Sequence, residues 1–260
     1  MRADVYLCTF GHTESRKKAQ DLIDASAVKI DGVTVKKSSA IINEAVPHRV
    51  ELEQVFKYVS RGGMKLEAAL DAFHINVNRA KAVDIGASTG GFTDCLLKRG
   101  ASCVYAIDAG VGQLHPDLLR DKRVRSIEKF NARELTVEVT EGLCDVAVAD
   151  VSFISQTYLI EPIASVLKDG GVFISLIKPQ FEAGRQALGK NGVVSSGAYR
   201  YLAAKRVISF ACEKGFDCLN LIRSPIDGGD GNREYLALFI KRSCFEPRVD
   251  DKAIKRITAQ

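Results

Sequence analysis

The chain of 260 residues carries 37 Lys and Arg against 32 Asp and Glu, a formal net charge of +5, with 46% hydrophobic and 27% charged residues. That balance is ordinary for a globular protein and excludes a disordered chain or a collagen-like repeat. The length suffices for one large domain, or a large one with a small companion, and the modest basic excess permits a nucleic-acid partner without requiring one.

Seven cysteines without a CxxC and four scattered histidines offer no metal-ligand spacing, so reduced, mostly buried thiols and no metal are expected. No apolar stretch approaches the ~18 residues of a membrane span. The first residues lack the apolar core of a signal peptide. A cytoplasmic protein is expected, with a monomer favoured.

Residues 1–53 form a self-contained segment. Ser15 is suited to cap a helix over 15–24, where Ala19, Leu22 and Ile23 make an apolar stripe. Residues 28–35 alternate apolar and polar around Asp31-Gly32, the dipeptide suited to a two-residue hairpin turn. The pattern Arg2-x-Asp4-x-x-Leu7, Ser15-Arg16-x-x-Ala19 and Val28-x-Ile30-Asp31-Gly32-x-x-Val35 resembles the S4 RNA-binding domain. That resemblance implies an RNA-facing set of Arg2, Arg16, Lys17, Lys18, Lys29, Lys36 and Lys37. The segment holds eight basic and eight acidic residues, so an RNA footprint there requires segregated charge, and the whole +5 lies in 54–260.

A linker is expected over 54–59, with a hinge at 54–58, and a catalytic domain over 60–243. Leu66, Ala69, Leu70 and Phe73 share one helix face. Apolar runs at 82–85, 103–108, 124–127, 145–150, 172–177, 218–222 and 235–240 then alternate with helical stretches at 92–98, 159–167 and 199–214. Such alternation specifies an α/β fold with a mostly parallel seven-stranded sheet covered on both faces. The last two strands are separated only by a loop, which suits an antiparallel hairpin at one edge. Residues 244–260 form a charged tail, expected to be peripheral.

Where the first strand of this sheet meets its helix, Asp84-Ile-Gly86-Ala87-Ser88-Thr89-Gly90-Gly91-Phe92 lets the backbone approach a ligand closely. The spacing is not GxGxxG, which excludes the usual dinucleotide fingerprint, and no Gly-Lys-Ser/Thr marks a P-loop. Asp108 ends the next strand, where a carboxylate can hold a ribose diol. The motif resembles the S-adenosylmethionine loop of FtsJ-like methyltransferases. The whole chain resembles the TlyA (hemolysin A) family, which joins an S4 domain to such a domain. Further blocks carry the resemblance: Ser60-Arg61-Gly62-Gly63-x-Lys65-Leu66, Gly112-Gln113-Leu114, Asn131-Ala132-Arg133, Val148-Ala-Asp150-Val-Ser-Phe-Ile-Ser155, Leu176-Ile-Lys178-Pro-Gln-Phe-Glu182 and Gly231-Asn-x-Glu234-Tyr235.

The resemblance implies a class I Rossmann-like fold that binds S-adenosyl-L-methionine through residues 84 and 86–92, Asp108, Asn131 and the Asp150 region. It further implies a Lys65-Asp150-Lys178-Glu234 tetrad for transfer to a ribose 2′-hydroxyl of ribosomal RNA, at cytidine. Lys178 is expected to take the proton or polarise the hydroxyl. Lys65 is expected to act on Lys178 as a neighbouring cation, with the two carboxylates orienting the amines. Arg61 and Arg185 are added to the RNA-facing set, Arg185 within a glycine-rich segment (184–197) that is either a flap or a long loop. Two other classes are compatible with the family names: a membrane-active cytolysin and a non-catalytic RNA-binding assembly factor. The apolar runs show no set of lipid-facing segments, and the intact loop and tetrad favour an enzyme.

Overall fold

The computed structural model describes all residues except 14, 25, 53–56, 229–230 and 243–248, together with the side chain of Lys190. The hinge at 54–58, Cys244 and the start of the expected tail fall partly or wholly outside the described residues. The chain divides into two compact units, Met1–Arg61 and Gly62–Gln260.

In the first unit, helices α1 (Ala3–Thr9) and α2 (Arg16–Asp24) pack on a three-stranded sheet of β1 (Val28–Ile30), β2 (Val33–Thr34) and β3 (Val50–Leu52), ordered β2-β1-β3. Asp31 and Gly32 both take positive φ (52° and 79°), as the two-residue hairpin requires. Leu7, Ile23 and Val28 are fully buried in its core. Neither α1 nor β3 is marked by the sequence pattern, because each is short and stabilised by this tertiary core rather than by its own periodicity.

The second unit opens with α3 (Gly62–Ala72), β4 (Lys81–Ile85), α4 (Gly91–Lys98), β5 (Cys103–Ile107), α5 (Pro116–Arg120), β6 (Val124–Ile127) and β7 (Cys144–Ala149). It continues through α6 (Ile160–Val166), β8 (Leu167–Ile177), α7 (Pro179–Glu182), α8 (Gly197–Glu213), β9 (Phe216–Arg223), β10 (Tyr235–Lys241) and α9 (Asp251–Ala259). Seven strands form one sheet in the order β6-β5-β4-β7-β8-β10-β9. The reversed strand is β10, antiparallel to both neighbours and so one place in from the edge. Phe173, Phe216 and Phe239 from three adjacent strands pack ring to ring in the core.

Strand order turns outward in both directions from β4 and β7, so a crevice opens at their carboxyl ends, where ligands bind in such sheets. The C-terminal residues depart from the peripheral tail expected of them. Asp250 caps α9 through Ala253 N–H at 2.7 Å, and Ile254 and Thr258 are buried against the unit. Ile254 and Ile257 make one apolar stripe on a helix otherwise rich in charge, which masks it in composition.

Candidate active site

The loop after β4 is shaped by backbone geometry. Gly86 has φ +80°, and a Cβ there would stand 2.8 Å from the Asp150 carbonyl oxygen. Gly90 has φ +95° and abuts Leu114 and Leu118 so closely that a Cβ would overlap them. The loop thereby runs tight against the β7 end and delivers Gly91 to the start of α4. Beneath it, the fully buried Asp84 accepts the Thr93 hydroxyl at 2.7 Å, while its other oxygen has no hydrogen-bond partner among the described residues. Burial pushes the Asp84 carboxyl up to about 7, and the nearby charges of Asp150 and Asp108 add to that effect.

A cavity of about 440 Å³ lies over this loop, lined by Gly86, Ser88, Asp108, Asn131 and Asp150, with Phe130, Val151 and Leu159 among its apolar walls. Asp108 accepts Ser88 N–H and Gly110 N–H, each at 2.7 Å, which fixes its carboxylate at the cavity edge. Asn131 lines the same cavity and also caps a short turn, accepting Arg133 N–H at 3.2 Å. Of the residues expected around the cofactor, Asp84, Ala87, Thr89, Gly90, Gly91 and Phe92 do not line this cavity. Asp84, Ala87 and Phe92 are buried, and Gly90 and Gly91 are committed to the loop-to-helix turn. The set fits a nucleoside-containing ligand: a backbone approach that a Cβ would fill, a pre-oriented carboxylate, and apolar walls of suitable volume.

The four tetrad residues form two ion pairs. Lys178 follows β8 and lies 2.6 Å from Asp150 Oδ1, at the neighbouring end of β7, and donates to Ser152 Oγ at 2.9 Å. Lys65, buried in α3, donates to Glu234 Oε2 at 2.5 Å, and Glu234 is only 2% exposed. Glu234 is held where β10 begins: Ser224 N–H donates to its carbonyl at 2.8 Å, and Gly228 approaches so closely that a Cβ would meet Oε1 at 2.7 Å. The contact of each lysine is thus with a carboxylate rather than with the other lysine.

A second cavity, about 330 Å³, is lined by Lys178, Glu234, Gln180, Phe181, Leu188 and Asn232, and it shares Ser152 and Phe153 with the first. Phe153 stands at their boundary with φ +65° and 92% exposure, its ring centroid 5.2 Å from that of Phe181. An exposed aromatic in a left-handed conformation is costly, so the loop around it must hold it there. Ser152, Phe153, Gln180, Glu182 and Asn232 all lie in the quoted motif blocks, yet nothing in their spacing assigns them roles. The glycine-rich segment carries two single turns, Arg185–Ala187 and Lys190–Gly192. Asn232 pins it, accepting Val194 N–H at 2.9 Å and donating to Gly192 O at 3.2 Å. Arg185 is exposed.

In the first unit, the fully buried Asp4 accepts from Arg2 (3.0 Å), Arg16 (3.0 Å) and Gln20 (2.8 Å). The Arg2 guanidinium holds the Asp4 carboxyl well below the usual carboxylate range. Lys17, Lys36 and Lys37 are exposed. Lys18 instead donates to Val59 O at 3.1 Å, and Arg61 pairs with the buried Asp21 at 3.0 Å, so both are engaged within the unit. Lys29 lies on β1 opposite Thr34 and Glu51.

A seven-stranded sheet with one reversed strand, a glycine loop at its switch point and acidic strand ends define a class I methyltransferase. The FtsJ-like methyltransferase family profile matches residues 58–241, and the S4 domain profile matches 1–45. The chain belongs to the FtsJ-like methyltransferase family and carries an S4 domain. It is 46% identical over 241 residues to Hemolysin A of Brachyspira hyodysenteriae, covering 92% of this chain and all of that one. It is 39% identical over 234 residues to the 16S/23S rRNA (cytidine-2′-O)-methyltransferase TlyA of Mycobacterium tuberculosis (strain ATCC 25618 / H37Rv), covering 90% of this chain and 87% of the other. A solved hemolysin-named structure from Streptococcus thermophilus superposes with TM-score 0.81 at 41% identity, covering 100% of this chain and 94% of that one. No helix among the described residues is long and apolar enough to cross a membrane.

Proposed function

We propose that this protein transfers a methyl group from S-adenosyl-L-methionine to a ribose 2′-hydroxyl of ribosomal RNA, at cytidine, as a cytoplasmic monomer. The observation that carries the reading is the meeting of two cavities across Ser152 and Phe153, one over the glycine loop and one bearing Lys178 and Glu234. The relatives named for rRNA (cytidine-2′-O)-methylation support the choice of substrate.

Gly86 and Ser88, backed by the 84–92 loop, would hold the cofactor, with Asp108 at its ribose and Asn131 and Asp150 along its length. When bound, the cofactor supplies an electrophilic methyl on a sulfonium. A ribose hydroxyl is a weak nucleophile while protonated, so it needs alignment and a route for its proton. Lys178 Nζ is held by Asp150 and Ser152 at the junction. There its ammonium would polarise the hydroxyl, or take the hydroxyl proton while passing one of its own to the Asp150 carboxylate. Glu234, paired with Lys65 behind it, lines the second cavity and would fix the sugar. Arg2, Arg16, Lys17, Lys29, Lys36 and Lys37 supply phosphate contacts that position the RNA.

Tritiated methyl transfer to undermodified 30S subunits, 50S subunits and free rRNA, followed by mapping of the 2′-O-methyl, tests the reading. Label on a ribose of rRNA is expected, and label on a base or on no RNA would refute it.

A further inference from the structure

We propose that Gln180 reads the Watson–Crick edge of the target base, an inference that rests on the rRNA methyltransferase reading above. Gln180 lies two residues beyond Lys178, in the first turn of α7, and lines the cavity that Lys178 and Glu234 share. Its Oε1 is closed off from solvent and has no hydrogen-bond partner among the described residues. Its Nε2 likewise makes no hydrogen bond among the described residues. Glu182, one half-turn on, has both carboxylate oxygens satisfied. A buried amide oxygen left unpaired is destabilising, and buried polar groups are otherwise almost always paired. An unpaired amide in the wall of a substrate cavity therefore points to a partner that arrives with the substrate.

The chemistry of that partner follows from Lys178. With the 2′-oxygen at Lys178, the base projects from the adjacent C1′ and so occupies the same cavity, where Phe153 and Phe181 offer apolar ring faces. A carboxamide presents an acceptor and a donor side by side. Cytosine presents the complement: its N4 amine donates to Oε1, and its N3 accepts from Nε2–H. Oε1 is enclosed in this structure, so the base meets it once the side chain turns toward the cavity, where an exocyclic amine satisfies the acceptor. Uracil would place its O4 against that oxygen.

The test uses the full chain and the RNA fragment mapped by methyl transfer. Cytidine, uridine or an abasic ribose, which keeps its 2′-hydroxyl, stands at the target position. A good bidentate contact corresponds to roughly ten- to a hundred-fold in discrimination. Q180L is expected to lose that much kcat/KM on the cytidine RNA, to lose little on the abasic RNA, and to narrow the preference for cytidine over uridine. Q180E keeps only acceptors and is expected to fall between. Thermal unfolding and cofactor affinity of each variant should match the parent. Equal losses on cytidine and abasic RNA, or no loss on either, would overturn the inference alone. Failure of the unaltered protein to methylate any of the RNAs would overturn the underlying reading, and this inference with it.

Discussion

Glu182 accepts the Ser155 hydroxyl at 2.6 Å and Gln156 N–H at 2.7 Å, so one buried carboxylate joins the loop after β7 to α7 after β8. Those two segments carry Asp150, Ser152 and Lys178. Burial pushes the Glu182 carboxyl up, and the two hydrogen bonds oppose that shift. Glu182→Ala would leave Gln156 N–H buried without an acceptor, at a cost of about 1–3 kcal/mol. Urea denaturation should register that loss, with methyl transfer falling as the Lys178–Asp150 geometry loosens. Glu182→Gln keeps one acceptor and should lose less. Parental stability in the alanine variant would contradict the role.

Gly86→Ala tests the loop itself. The substitution imposes a side chain at φ +80° and sets its Cβ 2.8 Å from the Asp150 carbonyl oxygen, so either the loop or the β7 end must shift. Cofactor affinity measured by calorimetry should fall at least tenfold. Stability should fall by about 1–3 kcal/mol from the backbone strain. Unchanged affinity would remove this loop from the cofactor site.

Lys178→Ala removes the amine held between Asp150 and Ser152 and leaves the glycine loop untouched. Loss of a proton-handling group should cost roughly 10²–10⁴-fold in kcat. Cofactor affinity should stay within a few-fold of the parent. Normal turnover would sink the assignment.

The central strands of the larger unit were legible because buried parallel strands read as apolar runs, and β4, β5, β7 and β8 each hold one, whereas the edge strand β6 is short and half-exposed. Lys65, Asp150, Lys178 and Glu234 stood out as charged residues within the motif blocks, but their pairing did not. Lys65 and Glu234 are 169 positions apart, and only the folded chain shows that each lysine meets a carboxylate rather than the other lysine. The same holds for Lys18 and Arg61. Both read as RNA-facing cations, and the contacts they make within the first unit, Lys18 with the Val59 carbonyl and Arg61 with Asp21, are announced by no local pattern. Gln180 is the opposite case, marked only by a missing partner, which requires coordinates to see.

Arg16 offers a test of the smaller unit. Asp4 fixes its guanidinium beside that of Arg2, which removes conformational freedom that an RNA phosphate would otherwise have to restrain. Arg16→Ala should weaken rRNA binding similarly across sequences and reduce the salt dependence by about one phosphate contact. Methylation at saturating RNA should be spared. A salt titration of binding checks this, and an unchanged slope would place Arg16 off the RNA. Asp4→Asn should weaken binding too, by freeing both guanidiniums.

Asp84 makes the stability of the larger unit depend on pH near neutrality. Its carboxyl is raised from 3.8 to about 7 by burial, so the folded chain holds the proton more tightly than the unfolded chain does. The stabilisation tied to that proton is complete below about pH 4, declines as pH rises, and is gone above about pH 7. Asp84→Asn stays neutral throughout and keeps an acceptor for the Thr93 hydroxyl, which donates to Asp84 at 2.7 Å. The variant should therefore gain on the parent by about 2–3 kcal/mol between pH 5 and pH 8, at roughly 1.4 kcal/mol per unit of pKa shift. Urea denaturation of both proteins at the two pH values measures the difference. An equal gap at both would mean that Asp84 is ionised to the same extent in the folded and unfolded chains.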